Sequence, residues 1–182
     1  MRKVTSGLFT SVDGVVDEPY KFQHDSFDDE LGAGMTAFMA RTDTVLLGRQ
    51  SYLEWSEWWP AHPDDPFGQW INPMPKYVAS TTLGDDLAWE NSTRIQGDLD
   101  DFVRDLKDQD GADIAVTGSI SVVRHLLFAG LLDELQLMIH PAIAGPGRRL
   151  FEPTDPPTRL TLVDSTVTSK GNVLNTYARR DA

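Results

Sequence analysis

The sequence predicts an α/β fold with one mostly parallel central sheet and helices on both of its faces. Short apolar runs rich in β-branched residues alternate along the chain with segments whose apolar residues recur at helical spacing. The last third has few helix signals and carries two strand-like segments joined at Lys170-Gly171-Asn172, a hairpin turn signal. Strands that are separated by helices pair in parallel, so the hairpin adds an antiparallel edge to the sheet.

The first predicted elements each follow from local residue types. Lys3–Thr10 is strand-like and ends before Asp13-Gly14, a turn dipeptide. Asp25–Arg41 is predicted to be a helix, because its large apolar residues lie at helical spacing and acidic residues fill its first turn. Thr44–Leu47 is a short apolar strand that Gly48 closes.

A helix predicted at Arg49–Glu57 is followed by the irregular stretch Trp58–Pro75. This stretch is rich in proline, tryptophan and acidic residues and fits neither the helical nor the strand period. Long irregular loops of compact domains commonly carry function, so we expect Trp58–Pro75 to line or cover the substrate pocket. The tryptophans in or beside it, Trp55, Trp58, Trp59 and Trp70, suit either stacking on a flat heterocycle or packing of the loop onto the body of the protein.

The rest of the chain continues the alternation up to the hairpin. The predicted elements are strands at Lys76–Ser80 and Thr93–Gln96, a helix at Asp98–Lys107, a strand at Asp113–Thr117, a helix at Ser119–Ala129, and strands at Glu134–His140, Arg159–Thr168 and Asn172–Arg179. Asp98 is a good N-cap for the helix that it opens. No internal repeat or interdomain linker is visible, so we expect one domain over residues 1–182.

Composition excludes several classes of function. The net charge of −12 repels phosphodiester backbones, so nucleic acid is not an expected partner. There is no cysteine, and the four histidines lie far apart without paired spacing, so no metal site is expected. The longest apolar stretch, Leu126–Leu132, is too short for a membrane span, and the N-terminus lacks an apolar signal core. We therefore expect a cytoplasmic protein without a membrane partner.

The most informative segment is Thr117-Gly118-Ser119-Ile120. It follows an apolar β-branched run and opens a helical pattern that stops at Gly130. A strand that turns through glycine into a helix places unpaired backbone N–H groups and the positive end of the helix dipole at one point. Such a joint is suited to hold a phosphate, which makes these four residues candidates for phosphate binding.

Four segments, in this order, resemble the dihydrofolate reductase-like fold in its RibD C-terminal branch, the reductases of riboflavin biosynthesis. The segments are Ser11-Val12-Asp13-Gly14, Leu46-Leu47-Gly48-Arg49-Gln50-Ser51-Tyr52, Thr117-Gly118-Ser119, and Leu131-Leu132-Asp133-Glu134-Leu135 followed by Pro141 and Gly145-Pro146-Gly147. The resemblance covers nearly the whole chain. It implies a three-layer sandwich around a mostly parallel sheet.

The resemblance also implies an NADPH-dependent reductase whose cofactor lies across the carboxyl ends of the strands. Hydride would pass to a small heterocyclic or ribose-like substrate, as in 5-amino-6-(5-phosphoribosylamino)uracil reductase. The implied cofactor-binding residues are Gly48, Arg49, Gln50 and Ser51 beside the adenosine 2′-phosphate, Ser80 and Thr81 flanking the adenosine, and Gly118 and Ser119 at the pyrophosphate. A helix N-terminus together with a guanidinium is well suited to grip a phosphate dianion.

The sequence departs from this family pattern at two points. Ser119 replaces the second glycine of the pyrophosphate pair, so its side chain must point away from the phosphates or donate a hydrogen bond to them. The acid that folate reductases carry on the first helix is not identified among Asp25, Asp28, Asp29 and Glu30. A non-catalytic ligand-binding protein on the same scaffold and a dihydrofolate reductase are therefore alternative functions.

Several further residues have two interpretations each. Asp13 is the candidate catalytic acid, because it follows the first strand where the family places nicotinamide and substrate, but Asp-Gly is also ordinary turn chemistry. His140 suits a site residue or a structural histidine, and Arg148-Arg149 suit a substrate phosphate or a solvated pair. A homodimer is expected, since related reductases pair and Phe128–Leu132 with the C-terminal strands supplies excess apolar surface.

Overall fold

An eight-stranded sheet runs through the centre of the protein. The computed structural model describes residues 1–180. The elements are β1 (Val4–Ser11), α1 (Tyr20–Gln23), α2 (Asp29–Ala40), β2 (Thr42–Gly48), α3 (Arg49–Trp58), a 3₁₀ helix (Trp59–Ala61), α4 (Pro66–Ile71), β3 (Lys76–Ala79), β4 (Ser92–Arg94), α5 (Leu99–Asp108), β5 (Asp113–Thr117), α6 (Ile120–Phe128), β6 (Glu134–His140), β7 (Leu160–Val167) and β8 (Val173–Arg179). The strand order is β4-β3-β2-β5-β1-β6-β8-β7.

The first six strands pair in parallel, and β8 and β7 add the antiparallel edge. Successive side chains of a strand point to opposite faces, so β5 serves two cores. Ile114 and Val116 pack with residues of α5 and α6, whereas Ala115 packs with Tyr52 of α3 and Ile71 of α4. Helix α2 covers the same face as α3, because its Phe38 packs against the cluster that contains Tyr52 and Ala115. The predicted α/β sandwich with a mostly parallel sheet and a C-terminal hairpin is confirmed.

The arrangement that positions the site is the pairing of β2 with β5. Leu46 of β2 pairs with Val116 of β5, so the two strands end at the same edge of the sheet. Each strand leads directly into a helix, at Arg49 and at Ile120. Gly48 lies close to α6, because a Cβ atom added there would be 3.2 Å from Cγ2 of Val122. Glycine at this position lets the two strand-to-helix joints approach each other.

The structure differs from the sequence prediction in three helical regions. Helix α1 (Tyr20–Gln23) has no counterpart among the predicted elements. The helix predicted from Asp25 begins at Asp29, because the Asp28 carboxylate caps it and accepts a hydrogen bond from the Leu31 N–H at 2.9 Å. Trp58–Pro75 was expected to be irregular, and this is wrong, because it contains the 3₁₀ helix and α4. Asp65 caps α4 and Pro66 is its first residue, which are ordinary helix-start residues.

Candidate phosphate-binding site

A pocket opens where the joints after β2 and β5 meet. It is lined by Asp17, Gly48, Gln50, Ser51, Glu54, Gly118, Ser119, Ile120, Ser121 and Arg148. Neither α3 nor α6, both fully described, is capped by the side chain of the residue that precedes it. The first-turn N–H groups of a helix have no partner within the helix, and the helix dipole is positive at that end. Two such ends at one pocket make a site for an anion.

Four of the predicted cofactor-binding residues are joined by a chain of hydrogen bonds beneath this pocket. The Gly48 N–H donates to Ser119 Oγ at 2.7 Å, and Ser119 Oγ lies 3.0 Å from Ser51 Oγ. Ser51 Oγ in turn donates to the Gly118 carbonyl oxygen at 2.9 Å. The Ser119 side chain is buried between the two joints. Its hydroxyl is therefore engaged with Gly48 and Ser51, so of the two arrangements that the sequence left open the hydrogen bonds favour the one without donation to the phosphates.

Arg148 brings a guanidinium to the pocket from the loop after β6, although the sequence did not assign it to the cofactor. Its Nη1 donates to Gln50 Oε1 at 3.0 Å. The loop that carries Arg148 is held at the end of β1, because the Asp13 carboxylate accepts hydrogen bonds from the N–H groups of Ala144 at 2.9 Å and Gly145 at 3.0 Å. The available signal was the Gly-Pro-Gly turn directly before two arginines.

The other predicted cofactor-binding residues lie at the same edge of the sheet but differ in their exposure. Arg49 is the exposed first residue of α3 and does not line the pocket. Ser80 follows β3, whose last residue pairs with Gly48. Its hydroxyl accepts a hydrogen bond from the Thr82 N–H at 3.2 Å. Thr81 is exposed. Thr117, the last residue of β5, and Ile120, the first residue of α6, are buried.

Asp13 is held as an ionised carboxylate. Its hydrogen bonds, first from Ser11 Oγ at 2.7 Å and then from the Ala144 N–H, lower the pKa of Asp13 to about 2. A group with this pKa carries no proton to donate near neutral pH. The geometry therefore favours the turn interpretation of Asp13, and the expectation that it is the catalytic acid finds no support here.

Asp28 is likewise held by hydrogen bonds on every side. Besides capping α2, its carboxylate accepts from Thr168 Oγ1 at 2.5 Å, from the Lys170 N–H at 3.0 Å and from Asn172 Nδ2 at 3.2 Å. Burial raises the pKa of Asp28, but these hydrogen bonds outweigh burial and the net pKa is lowered. Asp28 thus ties α2 to the turn between β7 and β8.

His140, the last residue of β6, is a buried structural histidine. Ser26 Oγ lies 2.6 Å from Nδ1 of His140 and donates its own proton to the Gln23 carbonyl oxygen. The hydrogen bond between Ser26 and His140 must then be donated by the Nδ1–H of His140. Nε2 lies 3.4 Å from Gln23 Nε2 and accepts from it. The ring packs against Phe9 and Phe22 at centroid distances of 5.4 and 5.8 Å. This network holds the neutral imidazole.

We expect the protein to lose stability as the pH falls below about 6.5, in part through His140. Burial lowers the pKa of His140 from its ordinary 6.5. At pH values between the lowered pKa of the folded protein and 6.5, the unfolded chain therefore binds more protons than the folded protein. Stability therefore rises with pH across this interval. An NMR titration should give His140 a midpoint below 6.5. A midpoint at or above 6.5 would contradict this assignment.

The stretch Trp58–Pro75 packs onto the body of the protein and contributes no residue to the lining of the pocket. The Trp59 ring lies 4.8 Å from that of Phe67, and both pack with the core between α3 and the sheet. Trp55 of α3 is the indole that reaches the site, since its edge lies against Gly118. The tryptophans were expected either to stack on a ligand or to pack the loop onto the body of the protein. For Trp59 the structure supports packing.

Two features are absent from residues 1–180. No helix in this range is both long and apolar enough to span a bilayer. No three or more carboxylate or histidine side chains in the same range are grouped so that they could hold a metal ion.

Comparison with known proteins identifies a family for this chain and agrees with the fold described above. The family model of the RibD C-terminal domain matches residues 2–174. Protein YyaP of Bacillus subtilis (strain 168), itself uncharacterised, is 29% identical over 180 residues, which cover 97% of this chain and 94% of YyaP.

Two crystal structures share the fold. A protein of Shewanella sp. PV-4, assigned provisionally to riboflavin biosynthesis, has a TM-score of 0.78 at 21% identity, with 98% of this chain and 99% of that chain covered. The Thermotoga maritima diaminohydroxyphosphoribosylaminopyrimidine deaminase/5-amino-6-(5-phosphoribosylamino)uracil reductase has a TM-score of 0.68 at 14% identity, with 98% and 57% covered. The family match extends over nearly all of the sequence, and the chain therefore belongs to the RibD C-terminal domain family.

Proposed function

We propose that this protein is an NADPH-dependent reductase that transfers a hydride to a small heterocyclic or ribose-like substrate. The observation that carries the proposal is the meeting of two uncapped helix N-termini and the Arg148 guanidinium at one pocket. Membership of a reductase-like family supports it. When bound, NADPH would supply the hydride from its nicotinamide ring. The protein's own contribution is to bind, to orient and to exclude water.

The residues present fit the phosphates of a dinucleotide. In the proposal, the first-turn N–H groups of α3 and α6 and the Arg148 side chain hold the pyrophosphate. Gly118 lines the pocket, and its φ of +64° lets the chain turn there from β5 into α6. Arg49, at the exposed start of α3, takes the adenosine 2′-phosphate, and Ser80 and Thr81 flank the adenosine. These cations are local, since the chain as a whole carries a net charge of −12 and repels anions.

Two carboxylates on the pocket wall refine the choice of ligand. Asp17 and Glu54 line the pocket, and Gln50 Nε2 donates to Glu54 Oε1 at 3.0 Å while Gln50 Oε1 accepts from Arg148. Carboxylates repel phosphate oxygens but accept hydrogen bonds from hydroxyl groups. We therefore infer that the pocket prefers a phosphate that is linked to a ribose over a free inorganic phosphate.

The second candidate is a non-catalytic ligand-binding protein on the same scaffold. It is favoured by one observation, which is that Asp13 and Asp28 both have lowered pKa values and are saturated with hydrogen bonds. Neither carboxyl is held in the protonated form that a proton donor needs, so in our proposal an ordered water supplies the proton. A dihydrofolate reductase is the weakest candidate, because the carboxylate at the start of α2 is already bound by β7–β8 turn residues.

Titration calorimetry with NADPH and NADH, followed by a turnover assay, tests the proposal. We expect NADPH to bind more tightly than NADH and its absorbance to fall when pyrimidine precursors of riboflavin are added. Dihydrofolate should give no turnover. Binding of NADPH without turnover of any substrate in the panel would favour the non-catalytic candidate. Failure of both cofactors to bind would overturn the proposal.

A homodimer remains part of this proposal, but the surface that supports it is smaller than the sequence suggested. Leu131 and Leu132 are buried in the protein's own core and are not available to a partner. The C-terminal hairpin does expose apolar side chains, with Leu162, Val163 and Val167 of the edge strand β7 at 53%, 57% and 70% exposure. We place the interface at β7, whose outer edge also offers unpaired backbone groups.

Light scattering is expected to give a mass of about twice the 20.3 kDa of one chain. Val167→Asp should shift the mass toward that of the monomer, because it puts a charge into the proposed interface. Gln109→Glu adds the same charge at the exposed end of α5 and should leave the mass unchanged. A monomeric wild-type protein at micromolar concentration would refute the dimer.

A further inference from the structure

We propose that Ser119 is a positioning residue, which sets the spacing and orientation of the two helix N-termini that form the anion pocket. The inference rests on the proposed function, because it assigns this spacing to cofactor affinity. Ser119 precedes α6, is 3% exposed and lies against Gly48, the residue that precedes α3. Its hydroxyl therefore reaches across from the β5–α6 joint and bonds to two residues of the β2–α3 joint, Gly48 and Ser51.

The direction of each hydrogen bond in this bridge is determined by the groups at its two ends. The Gly48 N–H can only donate, so Ser119 Oγ accepts from it. The Gly118 carbonyl can only accept, so the Ser51 hydroxyl donates to it. The Ser119 hydroxyl must then donate its own proton to Ser51 Oγ. Both hydroxyl protons are thus used within the bridge, and neither is available to a ligand.

The bridge consequently acts on the ligand through the backbone. The Gly48 N–H is the amide immediately before the first-turn N–H groups of Arg49, Gln50 and Ser51 in the chain. Without the Ser119 hydroxyl, the buried Gly48 N–H loses its partner, which is costly, and the joint relaxes to find another. That relaxation moves the first turn of α3 relative to α6. Every ligand that depends on both helix ends is then bound less tightly.

The test measures affinity for three probes, NADPH, NADH and inorganic pyrophosphate. Ser119→Ala is expected to weaken all three by the same factor of about tenfold, the effect of one lost hydrogen bond. Ser51→Ala should have a similar effect, and the double variant should be no worse than either single one, because the bridge acts as a unit. Ser56→Ala changes a hydroxyl that bonds only within α3 and should leave all three affinities unchanged.

Amide hydrogen exchange supplies a readout that does not depend on any cofactor. The Gly48 amide should be protected in the wild type and should exchange faster in Ser119→Ala. Faster exchange with unchanged affinities would overturn the positioning role and leave the bond merely structural, as would additive losses in the double variant. If the affinity for pyrophosphate falls by the same factor in Ser119→Ala and in Ser51→Ala, the positioning role is supported even when neither nicotinamide cofactor binds. That result would count against the proposed function alone. Binding of none of the three probes would overturn both.

Discussion

Replacing Gly118 with alanine is expected to lower the free energy of unfolding by about 2–5 kcal/mol. Gly118 has a φ of +64°, in the left-handed region where a side chain is strained. An added methyl group would also overlap the edge of the Trp55 indole, which is held against Trp59 and Phe67 at centroid distances of 6.2 and 5.5 Å. Equilibrium unfolding in denaturant measures the change.

Gly14→Ala is a matched control for this substitution. Gly14 has a φ of +85° but nothing lies within 4 Å of an added Cβ, so only the backbone strain of about 1–2 kcal/mol should appear. The difference between the two variants is then the cost of the overlap with Trp55. In a protein that already carries Trp55→Leu, the indole is gone, so adding Gly118→Ala should cost only as much as Gly14→Ala does. Equal costs at Gly118 and Gly14 would show that Trp55 does not press on the joint.

The second large effect is expected at the two arginines that the proposal assigns to different phosphates of the cofactor. Arg148→Ala should weaken NADPH and NADH equally, by roughly tenfold to a hundredfold, because the pyrophosphate is common to both cofactors. Arg49→Ala should weaken NADPH by a similar factor and leave NADH nearly unchanged, because only NADPH carries the 2′-phosphate. A charge-assisted contact contributes roughly 1.5–3 kcal/mol, which sets the expected factor.

Titration of both cofactors into each variant at two salt concentrations checks this pair of predictions. The NADPH preference of the wild type should shrink as salt rises. Arg104→Ala, which removes an exposed guanidinium paired with Asp101 on α5, should alter neither affinity. A loss confined to NADPH in Arg148→Ala would place the 2′-phosphate at Arg148 and reverse the two assignments. No loss in either variant would make both arginines solvated surface groups.

Much of the fold could be predicted because it follows from short-range patterns. The apolar strands and the turn at Gly171 are encoded within segments of a few residues, and β5 is observed with the predicted bounds Asp113–Thr117. The helix that begins at Pro66 was missed, although the Asp-Pro start is a helix signal, since its proline and tryptophan content was interpreted as a loop. Short helices of this kind depend on tertiary packing more than on propensity.

The backbone part of the site was also predictable, because strand–glycine–helix joints are local features. The segments 48–51 and 117–120 were both identified from sequence, and the sheet brings them together because β2 and β5 are neighbours. Arg148 was not assigned to the cofactor, since it lies 98 residues from Gln50, the residue it contacts. No local sequence pattern indicates which of the arginines will lie at the pocket, because that depends on the path of the loop after β6 in the folded protein.

The sequence alone established an acidic α/β protein with two phosphate-suited joints, because periodicity, turn residues and net charge are properties of the chain itself. The state of each carboxyl group was not among these properties. Asp13 was the candidate acid, and the acid of the first helix was left unassigned among Asp25, Asp28, Asp29 and Glu30. In the structure hydrogen bonds lower the pKa of both Asp13 and Asp28, from Ser11 and the distant Ala144 for Asp13 and from the distant Thr168 among others for Asp28. A pKa depends on which dipoles and charges surround a group, and that environment exists only once distant segments have packed together.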